Sequence, residues 1–210
     1  MLTLLIIVYI AIMPLNVEEL SNTYHALRHG RSKPNEDGII ISDLERGKDP
    51  MYGLVVEGRD QVRISVRRAL ETNVFKRKKK IILHSPFSRA YQSAEVAGDE
   101  LDVDLIECED LRERYFGVLD GLSHVNYQAV WNRDQIYSGH TQYGVESVRS
   151  TRDRGLRVIQ KCEENYEDSD IILVGHGDSL QILETVFRGI HASLHRTLKS
   201  LKNGELRQLN

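Results

Sequence analysis

Three short apolar runs, at residues 24–27, 81–83 and 171–174, each lead into a distinctive polar cluster. The clusters are Arg28-His29-Gly30, Ser85-Pro86-Phe87-Ser88-Arg89 and Gly175-His176-Gly177. Runs this short, bounded by turn residues, read as buried strands rather than helices. Between them the apolar residues recur at helical spacing: Val62, Val66, Ala69 and Leu70 within 57–72, and similar patterns over 85–100, 146–166 and 178–187. Residues 103–106 make a further strand, and 205–209 a final one after Asn203-Gly204. Strands alternating with helices predict an α/β three-layer sandwich, with a mostly parallel central sheet and helices on both faces. Ser85-Pro86 reads as a helix cap followed by proline at the first helical position. Residues 32–53, rich in Gly, Pro, Asp and Asn, read as a long surface loop.

In open α/β sheets the ligand lies beyond the carboxyl ends of the strands, so clusters far apart in sequence can share one crevice. Arginine presents a planar fork of donors matched to phosphate oxygens and keeps its charge at neutral pH. Arg89 adds a position in the first turn of its helix, where free backbone N–H groups favour an anion. A neutral imidazole beside two guanidiniums stays unprotonated, because like charge disfavours the cation. Such an imidazole can attack phosphorus, and a second histidine can complete the pocket. The set Arg28, His29, Arg89 and His176 therefore reads as a site of phosphoryl transfer. The leaving alkoxide needs a proton, and Glu113 in Leu111-Arg112-Glu113-Arg114-Tyr115 is the best source, since burial beside a phosphate raises a carboxyl pKa. Glu113 has an alternative role as an ion-pair partner of Arg112 or Arg114. Glu146 in Gly144-Val145-Glu146-Ser147 is the competing acid, with helix capping as its own alternative.

In order along the chain, four blocks resemble the motifs of the histidine phosphatase superfamily, in its phosphoglycerate mutase-like branch. They are Arg28-His29-Gly30-Arg31-Ser32-Lys33-Pro34-Asn35, the run from Ser85 to Ala94, the run from Leu111 to Gly117, and Gly175-His176-Gly177. Gly204-Glu205-Leu206-Arg207 is similar, more weakly, to plant phosphatase members of the branch. The resemblance implies that His29 is the phosphorylated nucleophile. It implies that Arg28, Arg89 and His176 hold the phosphoryl group, that Asn35 adds a hydrogen bond, and that Glu113 donates the proton. It implies no metal and no cofactor. Mutases of the branch usually carry other residues before the glutamate than Gly144-Val145, and a longer segment between the acid and that glutamate. Both departures favour a phosphatase acting on a small phosphomonoester, of sugar phosphate, phosphoserine or phosphoglycerate type, over a mutase. A shorter cover admits water to the phosphohistidine. A phosphate-binding scaffold without turnover is the alternative from another class.

The remaining features bound the reading. A chain of 210 residues with 40% hydrophobic and 28% charged residues is of a size and composition for one catalytic domain, expected over residues 22–210. A net charge of −3 argues against nucleic acid or an anionic membrane as partner, and the basic run Lys76-Arg77-Lys78-Lys79-Lys80 reads as a solvated helix end and loop. Cys108 and Cys162 form no disulfide framework or zinc pattern and read as structural thiols of a cytoplasmic, reducing compartment. Residues 1–21 form an apolar N-terminal segment, too short over its first thirteen residues for a membrane span. It reads as an imperfect signal or anchor, a packed extension, or a start assigned upstream of the domain, the last being preferred. Trp131, Phe116, Tyr127 and Tyr137 fall in 115–143, an aromatic insert suited to the core or to a lid. His191 and His195 stand four apart without a third metal ligand, so surface or capping roles are expected. His84 borders the crevice, and Arg31 and Lys33 either greet a substrate carboxylate or are solvated. A homodimer is left open.

Overall fold

The computed structural model describes residues 17–210. Most of the apolar N-terminal segment, residues 1–16, lies outside the described residues. The five that follow are docked on the domain: Val17 and Leu20 pack against the core, and the Ser21 backbone N–H and hydroxyl both donate to Glu163 at 2.8 Å. Among the described residues no helix is long and apolar enough to cross a membrane.

The chain runs through β1 (Thr23–Arg28), the short α1 (Lys33–Asp37) and α2 (Leu44–Lys48), α3 (Val56–Glu71), β2 (Lys79–His84), α4 (Ser88–Leu101) and β3 (Leu105–Glu107). It continues through α5 (Tyr127–Ile136), α6 (Val148–Asn165), β4 (Ser169–Gly175), α7 (Gly177–Phe187) and β5 (Leu206–Gln208). The sheet order is β3-β2-β4-β1-β5. Pairings β1–β4, β2–β4 and β2–β3 are parallel, and β5 joins the edge antiparallel to β1. The expected mostly parallel sheet with helices around it is what forms.

Alternation along the strands divides the core in two. On β4, buried at all seven positions, Ile171 and Leu173 pack with Leu156, Ile159, Leu180 and Leu183 from α6 and α7. Ile172 and Val174 pack on the other face with Val62, Val66, Ala90 and Ala94 from α3 and α4. A strand covered on both faces loses the polar-out alternation, which is why 171–174 is continuously apolar. Each such side chain contributes roughly 1.5–3 kcal/mol of burial.

Two local expectations fail. The expected loop 32–53 carries α1 and α2. Ser32 and Asn35 form a capping box for α1, and Asp43 caps α2 by accepting from the Arg46 N–H. Ile40 and Ile41, 0% and 2% exposed, anchor the link between the two helices. Ser85 does not cap α4, which starts at Ser88 behind the extended Phe87. The Ser85 N–H instead bonds the Val174 carbonyl at 2.9 Å, prolonging the sheet pattern, and its hydroxyl faces His176 at 2.8 Å. The basic run extends into the start of β2, where Lys79 lies over the Tyr166 ring and Lys80 over Phe75.

Candidate active site

Strands β1, β2 and β4 are neighbours in the sheet, so the residues that follow them meet at one edge. The His29 N–H bonds the Gly175 carbonyl at 3.0 Å, setting the turn after β1 against the turn after β4. His176 opens α7 as its N-cap in extended backbone, and its ring centroid stands 5.2 Å from that of His29. Glycine is required beside His29: a Cβ on Gly30 would lie 2.1 Å from the Gly58 carbonyl oxygen. Only two glycine backbones can approach this closely.

The hydrogen bonds fix the state of His29. Its Nδ1 lies 2.8 Å from the Gly30 carbonyl, which can only accept, so Nδ1 carries the proton. Arg89 Nε lies 3.2 Å from His29 Nε2, and a guanidinium can only donate, so Nε2 presents its lone pair. Two independent partners thus select the same tautomer. Burial, reinforced by the charges of Arg89 and Arg28, holds the His29 pKa well below the ordinary histidine value. His176 is held down likewise, by burial first and then by Arg89 and His29. Burial lowers Arg89 to about 10, still cationic at neutral pH.

The arginines have donors to spare. Arg28 Nη1 bonds the Leu201 carbonyl at 2.7 Å, and Arg89 Nη2 bonds the Ile41 carbonyl at 2.9 Å. Arg28 Nε, Arg89 Nη1 and His176 Nδ1 are buried without a partner. Arg28 and Arg89 line one cavity, so their open donors are available there to a ligand.

Glu113 is 7% exposed, and its Oε1 accepts from the Arg114 and Ser179 backbone N–H groups at 2.9 and 3.3 Å. Burial, and next the Asp178 carboxylate, raise its pKa against the pull of Arg89. It pairs with neither Arg112 nor Arg114 through its side chain. Glu146 lies outside the site: it clasps Arg154 through bonds of 2.9 and 3.1 Å and accepts from Ser150. Ser147, not Glu146, caps α6.

Arg28, His29, Asn35, Arg89 and Glu113 all line one cavity of about 340 Å³. His176, beside His29 and fully buried, is not among the residues lining that cavity. Asn35 Oδ1 is occupied by Ser32 and Asn203, which leaves its amide donors for a ligand. The rest of the lining comes from Pro34, Ile39, Ile41, His124, Tyr127 and Trp131. The aromatic insert therefore does cover the site, through α5, with Tyr127 stacked on Trp131 at 5.1 Å. Ile39 and Ile41 sat unnoticed in the expected loop. Their signal was the run of three branched apolar residues, Ile39-Ile40-Ile41, in an otherwise polar stretch.

A buried ion network, missed in the sequence, ties this insert to the body. Arg114 bonds Asp134 of α5 twice at 2.7 Å and Asp178 of α7 at 3.1 Å, and Trp131 Nε1 donates to Asp178 at 3.1 Å. His195 joins it, 3.5 Å from Asp178 and fully buried, while His191 caps the following turn. Their four-residue spacing is part of a tight turn, not a ligand pair. Arg31 and Lys33 point to solvent, held by Glu57 and Asp37, and His84 packs on Tyr91. Both cysteines are free; burial raises both thiols, Cys162 to about 12.

Comparison with known proteins shows family and fold. A sequence model described as histidine phosphatase superfamily (branch 1) matches residues 25–210. The chain is 27% identical to a 2,3-bisphosphoglycerate-dependent phosphoglycerate mutase of Parvibaculum lavamentivorans, over 78% of this chain and 79% of that one. It is 26% identical to the uncharacterized phosphatase PhoE of Bacillus subtilis, over 56% of this chain and 58% of that one. Its fold matches that of a mycobacterial glucosyl-3-phosphoglycerate phosphatase solved with VO3, with a TM-score of 0.73, 21% identity, and 89% and 91% of the two chains covered.

Proposed function

Because this chain belongs to the histidine phosphatase superfamily (branch 1), we propose that it is a phosphatase hydrolysing a small phosphomonoester through a phosphohistidine on His29. The observation that carries this reading is the fixed lone pair of His29 Nε2 beside two guanidiniums with open donors. In the first step Nε2 attacks phosphorus as the ester oxygen leaves. Arg28 Nε, Arg89 Nη1 and the amide of Asn35 take the phosphoryl oxygens, and the Arg89 Nε hydrogen bond to Nε2 yields to a bond with one of them. His176, through its open Nδ1, supplies a further hydrogen bond to the phosphoryl group. Glu113 gives its proton to the leaving alkoxide. In the second step Glu113, now a carboxylate, takes a proton from water as the water oxygen attacks phosphorus, and inorganic phosphate leaves a neutral His29. Electrostatic stabilisation of the transferring group by preset donors supplies most of the acceleration expected of such a site.

The test incubates purified protein, with chelator present, with a panel of phosphomonoesters. Phosphate release should proceed through transient, acid-labile and base-stable phosphate on His29. Release by His29→Ala comparable to the parent refutes the mechanism. The likeness to a named mutase supports a second reading, in which an alcohol rather than water accepts the phosphoryl group. Strong stimulation by 2,3-bisphosphoglycerate, with phosphate retained in organic products, would select it.

A further inference from the structure

Resting on the phosphomonoesterase reading, we propose that the substrate's alcohol is uncharged and carries an apolar or aromatic face. Among the described residues that line the cavity, Arg28 and Arg89 are the arginines, and the proposed mechanism already commits the open donors of both to the phosphoryl group. Apart from the exposed imidazole of His124, nothing else on that wall offers a positive charge to a carboxylate or a second phosphate. The cations nearby are already engaged. Arg31 and Lys33 are held by Glu57 and Asp37, and Arg46 by Asp120 at 2.6 Å.

Arg196 closes off the last alternative. It lines a smaller recess of about 130 Å³ that shares Arg28, Glu113, Tyr127 and Trp131 with the main cavity. There it lies flat on the Trp131 ring, 3.8 Å from the centroid, bonded to Gln181 and 3.7 Å from Asp178. A carboxylate entering that recess would meet the Glu113 and Asp178 carboxyl groups beside Arg196. An anionic alcohol would thus be stripped of water and offered no unshared counter-charge. The wall it would touch is instead Pro34, Ile39, Ile41, Tyr127 and Trp131, and Leu122 and Val125, flanking the cavity residue His124, are 49% and 68% exposed. Both faces of Trp131 are covered, by Tyr127 and by Arg196. A cavity of about 340 Å³ is at the small end for ligand sites, suiting a phosphoryl group plus one ring or a short branched chain.

The experiment measures kcat/KM for three alkyl monoesters, so that leaving-group chemistry is matched: benzyl phosphate, O-phosphoserine and 3-phosphoglycerate. The expected result is preference for benzyl phosphate by roughly 100-fold or more, the scale of discrimination against a desolvated unpaired charge. Ile39→Lys, which places a cation on the half-buried wall, should narrow that ratio by about tenfold or more by improving 3-phosphoglycerate. Equal or faster turnover of either charged ester by the parent protein overturns the proposal while leaving the phosphatase reading intact. An unchanged ratio in folded Ile39→Lys overturns it too. Absence of both phosphate release and phosphohistidine with every ester overturns the phosphatase reading, and this proposal with it.

Discussion

Neutralising Asp178 should separate the two tasks that its carboxylate performs. It is 5% exposed at the start of α7, with Oδ2 accepting from Arg114 and Oδ1 accepting from Trp131. Burial opposes its charge, yet neighbouring His195 and Arg114 outweigh burial and hold its carboxyl below the usual carboxylate range. In Asp178→Asn the amide oxygen still accepts the indole N–H, but the charge-assisted bond to Arg114 is lost, at about 1.5–3 kcal/mol. Arg114 keeps both bonds to Asp134, so the loss stays below the ~3–5 kcal/mol of an orphaned buried charge. A net cost of ~2 kcal/mol lowers Tm by roughly 4–8 °C in a chain of this size, read by calorimetry. The second consequence is kinetic. Asp178 is, after burial, the main cause of the raised Glu113 pKa. As the proposed acid Glu113 must be protonated, so the alkaline limb of kcat/KM should report its ionisation in the free enzyme. Removing the neighbouring negative charge makes that ionisation easier, and the limb moves to lower pH. A variant whose Tm falls as stated, but whose limb stays put or moves up, would refute the assignment of Glu113 as the acid.

Three other outcomes follow from the same geometry. Burial is the chief cause lowering the pKa of His25, His29 and His176. The unfolded chain therefore takes up protons below about pH 6.5 while the fold resists. Stability is complete above that pH and falls by up to ~1.4 kcal/mol per pH unit per histidine below it; denaturant midpoints flat between pH 7.5 and 5.5 would contradict this. Glu113→Gln should cost roughly 10²–10⁴ in kcat with little change in Tm, whereas Glu146→Gln, which loses the buried clasp on Arg154, should cost ~3 kcal/mol of stability and leave the chemistry in place. Gly30→Ala drives a methyl to 2.1 Å from the Gly58 oxygen, so the backbone beside His29 must shift. Overpacking of this kind costs ~3 kcal/mol, measured by urea unfolding together with a fall in phosphohistidine yield.

What the sequence made legible was whatever a local pattern determines. The runs 24–27, 81–83 and 171–174 became β1, β2 and β4 because a strand covered on both faces must be apolar throughout. Arg28, His29, Asn35, Arg89 and Glu113 were found because they lie in short motifs and the sheet places strand ends together. The rest depended on pairing at a distance. Arg114, Asp134 and Asp178 are separated by 20 and 44 residues along the chain, and no local pattern marks that they neutralise one another. Ile39 and Ile41 were hidden because turn residues on either side made 32–53 read as loop, while caps at Ser32 and Asp43 in fact start two helices. Ser85 was misread as a cap for the converse reason: its motif fits a helix start, but the hydrogen bond to His176 comes from another strand end.

The topology divides the chemistry from the recognition. The groups proposed to handle phosphorus, His29, Arg28, Arg89 and His176, stand at the ends of adjacent strands or in the first turn of the helix after one, fixed by sheet hydrogen bonds such as His29 N–H to Gly175. Moving any of them requires moving the sheet. The groups facing the alcohol, by contrast, come from the 38–41 link and from α5, segments attached through the Arg114–Asp134 pair, the Trp131–Asp178 bond and the bridge Ile39–Ser123. Glu113 sits at the junction: its backbone leads directly into Arg114, and its acidity answers to Asp178, which also holds Trp131. Changes to the wall can therefore alter which alcohol is accepted while the phosphoryl site stays as it is, provided that the Arg114 network is kept. The reverse does not hold, because any loss in that network reaches the acid and the wall together. That coupling sets the order in which substitutions should be combined. Wall residues as close as Ile39 and Ile41 share one cavity, so their substitutions need a double-mutant cycle, made with Asp134 and Asp178 intact.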